Sequence, residues 1–240
     1  MPVRAAHYRH VAVGVERLPA RDALRHHHRE AYANVVLTGE FIETSFAGHH
    51  CVGPGDVLLH GGFDAHANFA LSRGPLTLLR LPWRAIGLDG VRRVADADRL
   101  ARLAERDVDA AVEALAAGLL QARPADESWP ERLAGALKAG QVTRLAQWAE
   151  EEGLAPETVS RQFGRVYGVS PQRFRLEYRA RQAWLACMGG APSLTALAHD
   201  LGFADLAHMS RSVAALTGRT PSAWRQSAAM ASISSSHALS

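Results

Sequence analysis

A short pattern that occurs twice in the C-terminal part limits this chain more than any other feature. Its first copy is Ser160-Arg161-Gln162-Phe163, then Gly168-Val169-Ser170-Pro171 and Phe174. The second is Ser210-Arg211-Ser212-Val213, then Gly218-Arg219-Thr220-Pro221 and Trp224. Serine, arginine, glycine, proline and a closing aromatic recur at the same internal spacing. A repeat of this kind marks one supersecondary unit used twice, and the local signals make that unit a helix-turn-helix.

In the first copy, Thr143 to Glu151 has helical spacing, with Leu145, Ala146, Trp148 and Ala149 available for burial. Gly153 can take the left-handed conformation that ends a helix, and Pro156 suits the first turn of the next. Val159, Phe163 and Val166 form an apolar stripe, while Glu157, Ser160, Arg161, Gly164 and Arg165 form a polar or small face. An apolar back and a flat, arginine-bearing face fit a helix lying in a major groove. In the second copy Leu194, Leu197 and Ala198 lie on the first helix and Gly202-Phe203 makes the turn. Met209, Val213 and Leu216 are the stripe, with Ala204, Ala207, His208 and Arg211 outward. Between the copies, Pro171 to Met188 reads as a long helix with Phe174, Tyr178, Ala180, Trp184 and Leu185 inward. Arg173, Arg175, Arg179 and Arg181 are expected near solvent or phosphate. Gly189-Gly190 ends it, and Ser193 can cap the next helix.

These residues resemble the DNA-binding domain of the AraC/XylS family of bacterial transcription regulators. The resemblance covers about the last two-fifths of the chain. It implies two recognition helices, at 156–167 and 205–217, with Arg161 and Arg211 at the equivalent base-reading positions. It makes Glu157, Ser160, Arg161, Arg165, Ala207, His208 and Arg211 the DNA-contact set, with no catalytic residue. The second copy departs from the family where Met209 and Val213 replace aromatics and Ala214 a basic residue. Leu206 and Ala207 stand where polar side chains often touch DNA, which predicts weaker discrimination by the second reader.

The N-terminal part reads differently. Val11 to Val15, Asn34 to Leu37, Phe41 to Phe46, Val57 to Leu59 and Leu76 to Leu81 are short β-prone runs, parted by Gly39, Gly53-Pro54-Gly55-Asp56 and Gly74-Pro75. That pattern predicts a small sandwich or barrel. His26-His27-His28, Gly39, Pro54-Gly55-Asp56 and His66 resemble the cupin fold, which AraC-type regulators commonly carry as a sensor. The resemblance implies a divalent metal such as zinc at His26, His28 and His66, with Tyr32 where a glutamate usually completes the set. Imidazole is the commonest protein ligand for such ions. Tyr32, His60 and His66 are alternatively the wall of an organic effector's pocket. From Asp96 to Gln121, leucine, valine and alanine recur at helical spacing. That pair either packs on its own barrel or makes the dimer contact that such segments provide in this family.

The chain is thus expected to be α+β, with a cupin-like sensor over 1–90 and a helical linker or dimerisation segment over 91–128. The double helix-turn-helix domain follows over 129–228, with a polar linker at Arg123 to Ser128 and a disordered tail over 229–240. Net charge is only +3, although a basic face can hide in such a sum. Arg144, Arg161, Arg165, Arg173, Arg175 and Arg179 could meet phosphates. Two cysteines, Cys51 and Cys187, argue against a disulfide framework and point to a reducing cytoplasm. No signal-peptide or membrane-spanning pattern is present. The expected partners are double-stranded DNA, a small-molecule or metal effector, RNA polymerase and a second copy of the chain, with no membrane. The competing readings are a metal-dependent cupin enzyme carrying a passenger helical domain, and a constitutive DNA binder with no effector.

Overall fold

The computed structural model describes residues 12–71, 74–83, 89–124, 127–190 and 193–237, with side chains as far as Met230. Val11 of the first expected run, residues 125–126 of the expected linker and residues 238–240 of the tail lie outside the described residues.

The chain is α+β. Its N-terminal strands are β1 (Gly14–Leu18), β2 (Ala23–His26), β3 (Tyr32–Thr38), β4 (Phe41–Ser45), β5 (Gly48–Val52), β6 (Asp56–His60), β7 (His66–Ala70), β8 (Leu76–Pro82) and β9 (Gly90–Arg93). They form two antiparallel sheets, ordered β1-β8-β3-β6-β9 and β2-β7-β4-β5. The expected barrel is therefore an open sandwich. Among the described residues β1 pairs only with β8, and β2 only with β7 through an irregular register between Ala23 and His26, so neither edge closes on the other sheet.

Side-chain alternation along a strand divides the two faces. Ala33 and Val35 of β3, with Val57, Leu59, Leu79 and Leu81, turn outward beneath helices α1 (Ala97–Ala104) and α2 (Val108–Gly118). Asp96 and Asp107 cap these helices, accepting from the Arg99 and Ala110 N–H groups. Leu100, Ala111 and Leu115 bury against the sheet, so the helical stripe packs on its own sandwich. Val36, Phe41, Val52, Leu58, Leu78 and Val91 cluster separately. After α2 the chain runs back beside β9: Leu120 N–H donates to the Arg93 carbonyl and Arg123 N–H to that of Val91. Arg123 also reaches Asp56 at 2.7 Å, so this end of the expected linker is anchored.

The C-terminal part is all helical. Its helices are α3 (Trp129–Lys138), α4 (Leu145–Glu151), α5 (Pro156–Tyr167), α6 (Pro171–Met188), α7 (Leu194–Asp200), α8 (Leu206–Thr217) and α9 (Pro221–His237). The repeat is structural as well as sequential. Gly168 and Gly218 cap α5 and α8 in the left-handed conformation, at φ of 72° and 76°. Gly153 and Gly202 do the same in the two turns. The expected disordered tail instead continues α9 to His237. Ala228, Ala229 and Ala231 are strong helix formers, and no glycine or proline interrupts them.

The two parts share a packed interface. Phe63, fully buried between β6 and β7, inserts into the C-terminal cluster of Ala180, Ala183, Met209, Val213 and Trp224. Its ring meets Trp184 and Trp224 at 4.9 and 5.9 Å. Phe46 joins Leu133, Phe163 and Phe174 in a second cluster. A Cβ on Gly62 would lie 2.7 Å from Trp184, so only glycine allows the approach. Arg181, expected near solvent, is only 4% exposed. It donates to the Gly62 carbonyl at 3.0 Å and to Asp89 at 2.6 Å. Phe63→Ala is expected to destabilise the chain by about 3–5 kcal/mol in urea unfolding. A loss under about 1 kcal/mol would contradict this packing.

Candidate DNA-binding face and histidine centre

Helix α5 buries Val159, Phe163 and Tyr167. That orientation leaves Glu157, Ser160, Arg161 and Arg165 exposed on the opposite side. Helix α8 buries Met209, Val213 and Leu216, which leaves Ala207 and Arg211 exposed and His208 half-buried against the Phe203 ring. Asp205 caps α8 through the His208 N–H at 2.6 Å. Arg161 and Arg211 make no ion pair among the described residues. Each helix thus presents one free guanidinium at the equivalent turn.

The spacer helix α6 ties both units in place. Arg175 donates to the Val142 carbonyl ahead of α4, at 2.8 Å. Arg179 donates to the Gly202 carbonyl in the second turn, also at 2.8 Å. Arg173 pairs with Glu177 at 2.7 Å. These arginines, expected near solvent or phosphate, stay partly exposed but already have protein partners. The exposed candidates for phosphate are Arg144, Arg161 and Arg165.

The second constellation lies in the sandwich. His26, His28 and His66 each place a ring nitrogen within 4.8 Å of the others. His66 Nδ1 is held by the Asp64 carbonyl at 3.0 Å, and the Tyr32 hydroxyl donates to its Nε2 at 3.2 Å. His26 Nδ1 donates to the Leu24 carbonyl at 2.8 Å, which leaves its Nε2 available. Burial, reinforced by neighbouring cationic groups, holds all three imidazoles below their ordinary pKa, His28 at about 3. Neutral, gathered imidazoles are the form that ligates a metal. Tetrahedral zinc bonds of about 2.0–2.1 Å place ligand nitrogens roughly 3.3 Å apart. The three rings fit such an ion after a modest contraction and release of the Tyr32 hydrogen bond.

His60 behaves oppositely. Burial pushes its pKa down, but Glu43 at 3.3 Å and Asp64 at 3.1 Å outweigh it and raise the value to about 10. His60 is an imidazolium held between two carboxylates. Tyr32, His60 and His66 are brought together but fully buried, with the Tyr32 and His60 rings 4.8 Å apart. An open pocket of about 160 Å³ lies at the sandwich edge, lined by Leu18, Ala23, Phe41, Asn68, Ala70 and Leu76. Glu43, Asp64 and Phe63 were absent from the sequence reading. Glu43 sits mid-strand without a motif, and only the Gly61-Gly62 pair before Phe63-Asp64 signals a close approach.

A family model described as "Helix-turn-helix domain" matches residues 148–227, spanning both units. Over 79 residues the chain is 32% identical to the virulence regulon transcriptional activator VirF of Yersinia enterocolitica and, equally, to the thermoregulatory protein LcrF of Yersinia pestis. By the family match, residues 148–227 are a helix-turn-helix domain. The Yersinia match takes in 33% of this chain and 29% of each Yersinia protein. A probable AraC family regulator from Rhodopseudomonas palustris aligns with 42% of this chain and 98% of its own, at 26% identity and a TM-score of 0.38. Fatty-acid-bound ToxT from Vibrio cholerae aligns with 89% of this chain and 94% of its own, at 11% identity and a TM-score of 0.42. Among the described residues no helix is long and apolar enough to cross a membrane.

The helix-turn-helix domain is docked beside a histidine cluster whose burial makes stability depend on pH. His28 titrates at about 3 in the folded chain and near 6.5 when unfolded. Below 6.5 the unfolded chain gains protons that the folded one refuses, so this contribution is present above 6.5 and lost as pH falls toward 3. With a chelator present, the melting temperature should fall on acidification below 6.5. His28→Asn should make that slope shallower, since His26 and His66, also held below their ordinary range, still contribute. An unchanged slope would contradict the assignment.

Proposed function

We propose that this chain is a ligand-responsive, sequence-specific DNA-binding transcription regulator. The observation that carries the reading is the pair of exposed arginines, Arg161 on α5 and Arg211 on α8, at equivalent positions of two helix-turn-helix units fixed to one spacer helix. Successive major-groove faces on one side of a duplex lie about 34 Å apart, and a rigid spacer lets one chain address both. The proposal therefore does not depend on dimerisation.

Arg161 is the first candidate for a bidentate guanine contact, with Arg211 second. Glu157, Ser160, Arg165 and His208 support them, and Ala207 suits an apolar contact with a thymine methyl. The first face carries two exposed arginines and the second one, so α5 should dominate specificity. Arg161→Ala is expected to cost about 1–3 kcal/mol on the selected site and to relax preference at one base pair. The check is a binding titration against the selected duplex and a scrambled one. Equal losses on both would reduce Arg161 to a phosphate contact.

The effector reading rests on the three gathered, neutral histidines, which suit a divalent ion of the zinc type. Metal analysis of freshly purified protein should find one equivalent per chain, and a chelator should lower the melting temperature. A metal-free protein indifferent to chelator and to added zinc would remove the metal. The edge pocket beside Asn68 would then be the remaining site for an organic effector.

A further inference from the structure

The three histidines are not isolated from the DNA-binding helices. Residues 25–29 carry side chains alternately to two destinations. His26 and His28 turn into the sandwich, their rings 4.3 and 5.6 Å from that of His66. Arg25, His27 and Arg29 turn the other way, each to a different part of the C-terminal domain. Arg25 pairs with Glu177 of α6 at 3.0 Å and donates to the Tyr167 carbonyl at the end of α5. Its guanidinium also lies 5.3 Å from the Phe46 ring and 5.6 Å from that of Phe174. The His27 ring lies 5.8 Å from that of Phe63 and meets the Leu216 carbonyl of α8. Arg29 sits over the Trp224 ring of α9 at 5.4 Å.

The segment has no slack between these roles. The His28 carbonyl accepts from Phe63 N–H at 2.7 Å. A Cβ on Gly62 would come within 2.8 Å of the Arg29 carbonyl. The adjoining turn repeats the arrangement: Asp64 holds His60 and, through its carbonyl, His66, while Phe63 lies among Trp184 and Trp224. Drawing the ring nitrogens of His26 and His28 toward His66, from up to 4.8 Å to a ligating distance, pulls on the same short backbone that carries Arg25, His27 and Arg29.

We propose that residues 25–29 are a relay: ligation at His26, His28 and His66 moves Arg25, His27 and Arg29, and so resets how α5, α6, α8 and α9 pack. This rests on the reading of the three imidazoles as a ligand site, and adds how that site controls the two recognition helices.

The test is amide hydrogen exchange of the full chain, metal-free and with zinc ion. In the wild type, zinc should slow exchange in peptides from β2 and β7 and change it about threefold or more in α6, α8 or α9. His28→Ala should abolish both responses. In Arg25→Met and Arg29→Met the strand response should persist while the helix response shrinks or vanishes. Arg29→Met, at an exposed position, keeps the test available if Arg25→Met folds poorly. A strand response with unchanged helices in the wild type overturns the relay and leaves the metal site standing, as does a helix response undiminished in both arginine variants. If zinc changes nothing anywhere, the metal reading falls. The relay, which that ligation drives, falls with it.

Discussion

The carboxylate of Glu177 is the interaction on which this architecture turns. It lies mid-way along α6, 8% exposed, held by Arg173 of its own helix and by Arg25 of the sandwich at 2.7 and 3.0 Å. A buried carboxylate is costly unless paired. Any movement of the sandwich away from α6 would leave Glu177 with one partner, and truncating such a partner costs about 3–5 kcal/mol. The pair is thus better understood as fixing one docking arrangement than as adding net stability. Arg181, buried against Gly62 and Asp89, acts the same way one turn further along.

Helix α6 consequently has two jobs along one length. Arg25 and the Phe63 ring fix it to the sandwich. Its own Arg175 and Arg179 hold the carbonyls of Val142, just ahead of the first helix-turn-helix unit, and of Gly202, in the turn of the second. What moves α6 moves both exposed arginine faces together, which is how a small rearrangement in a packed interface becomes a discrete change at a distance.

The C-terminal half was legible because its signals are local. Pro156, Pro171, Gly153, Gly168, Gly202 and Gly218 mark boundaries that need no tertiary context, and α5 and α6 span the residues read from the sequence. The N-terminal half was legible only where β-branched and aliphatic runs occur, as in β3, β6 and β8. Strands β2, β5 and β7 read Ala-Leu-Arg-His, Gly-His-His-Cys-Val and His-Ala-Asn-Phe-Ala. Their strand character comes from pairing and from a polar interior, not from intrinsic preference. Strands β2 and β7, with the adjoining His28, carry the three candidate ligands, so the site's composition was visible and most of its scaffold was not. Arg181 of α6, expected near solvent but 4% exposed, was misread for a related reason. Helical spacing shows which face a residue shares, but not whether a carbonyl or a second domain covers that face.

The central claim is that sandwich and helical domain are one cooperative body joined through Arg25, Glu177 and Phe63. Scanning calorimetry of the metal-free full chain tests it most directly. The account predicts a single transition whose calorimetric and van't Hoff enthalpies agree. Two separable transitions, one for each half, would contradict it.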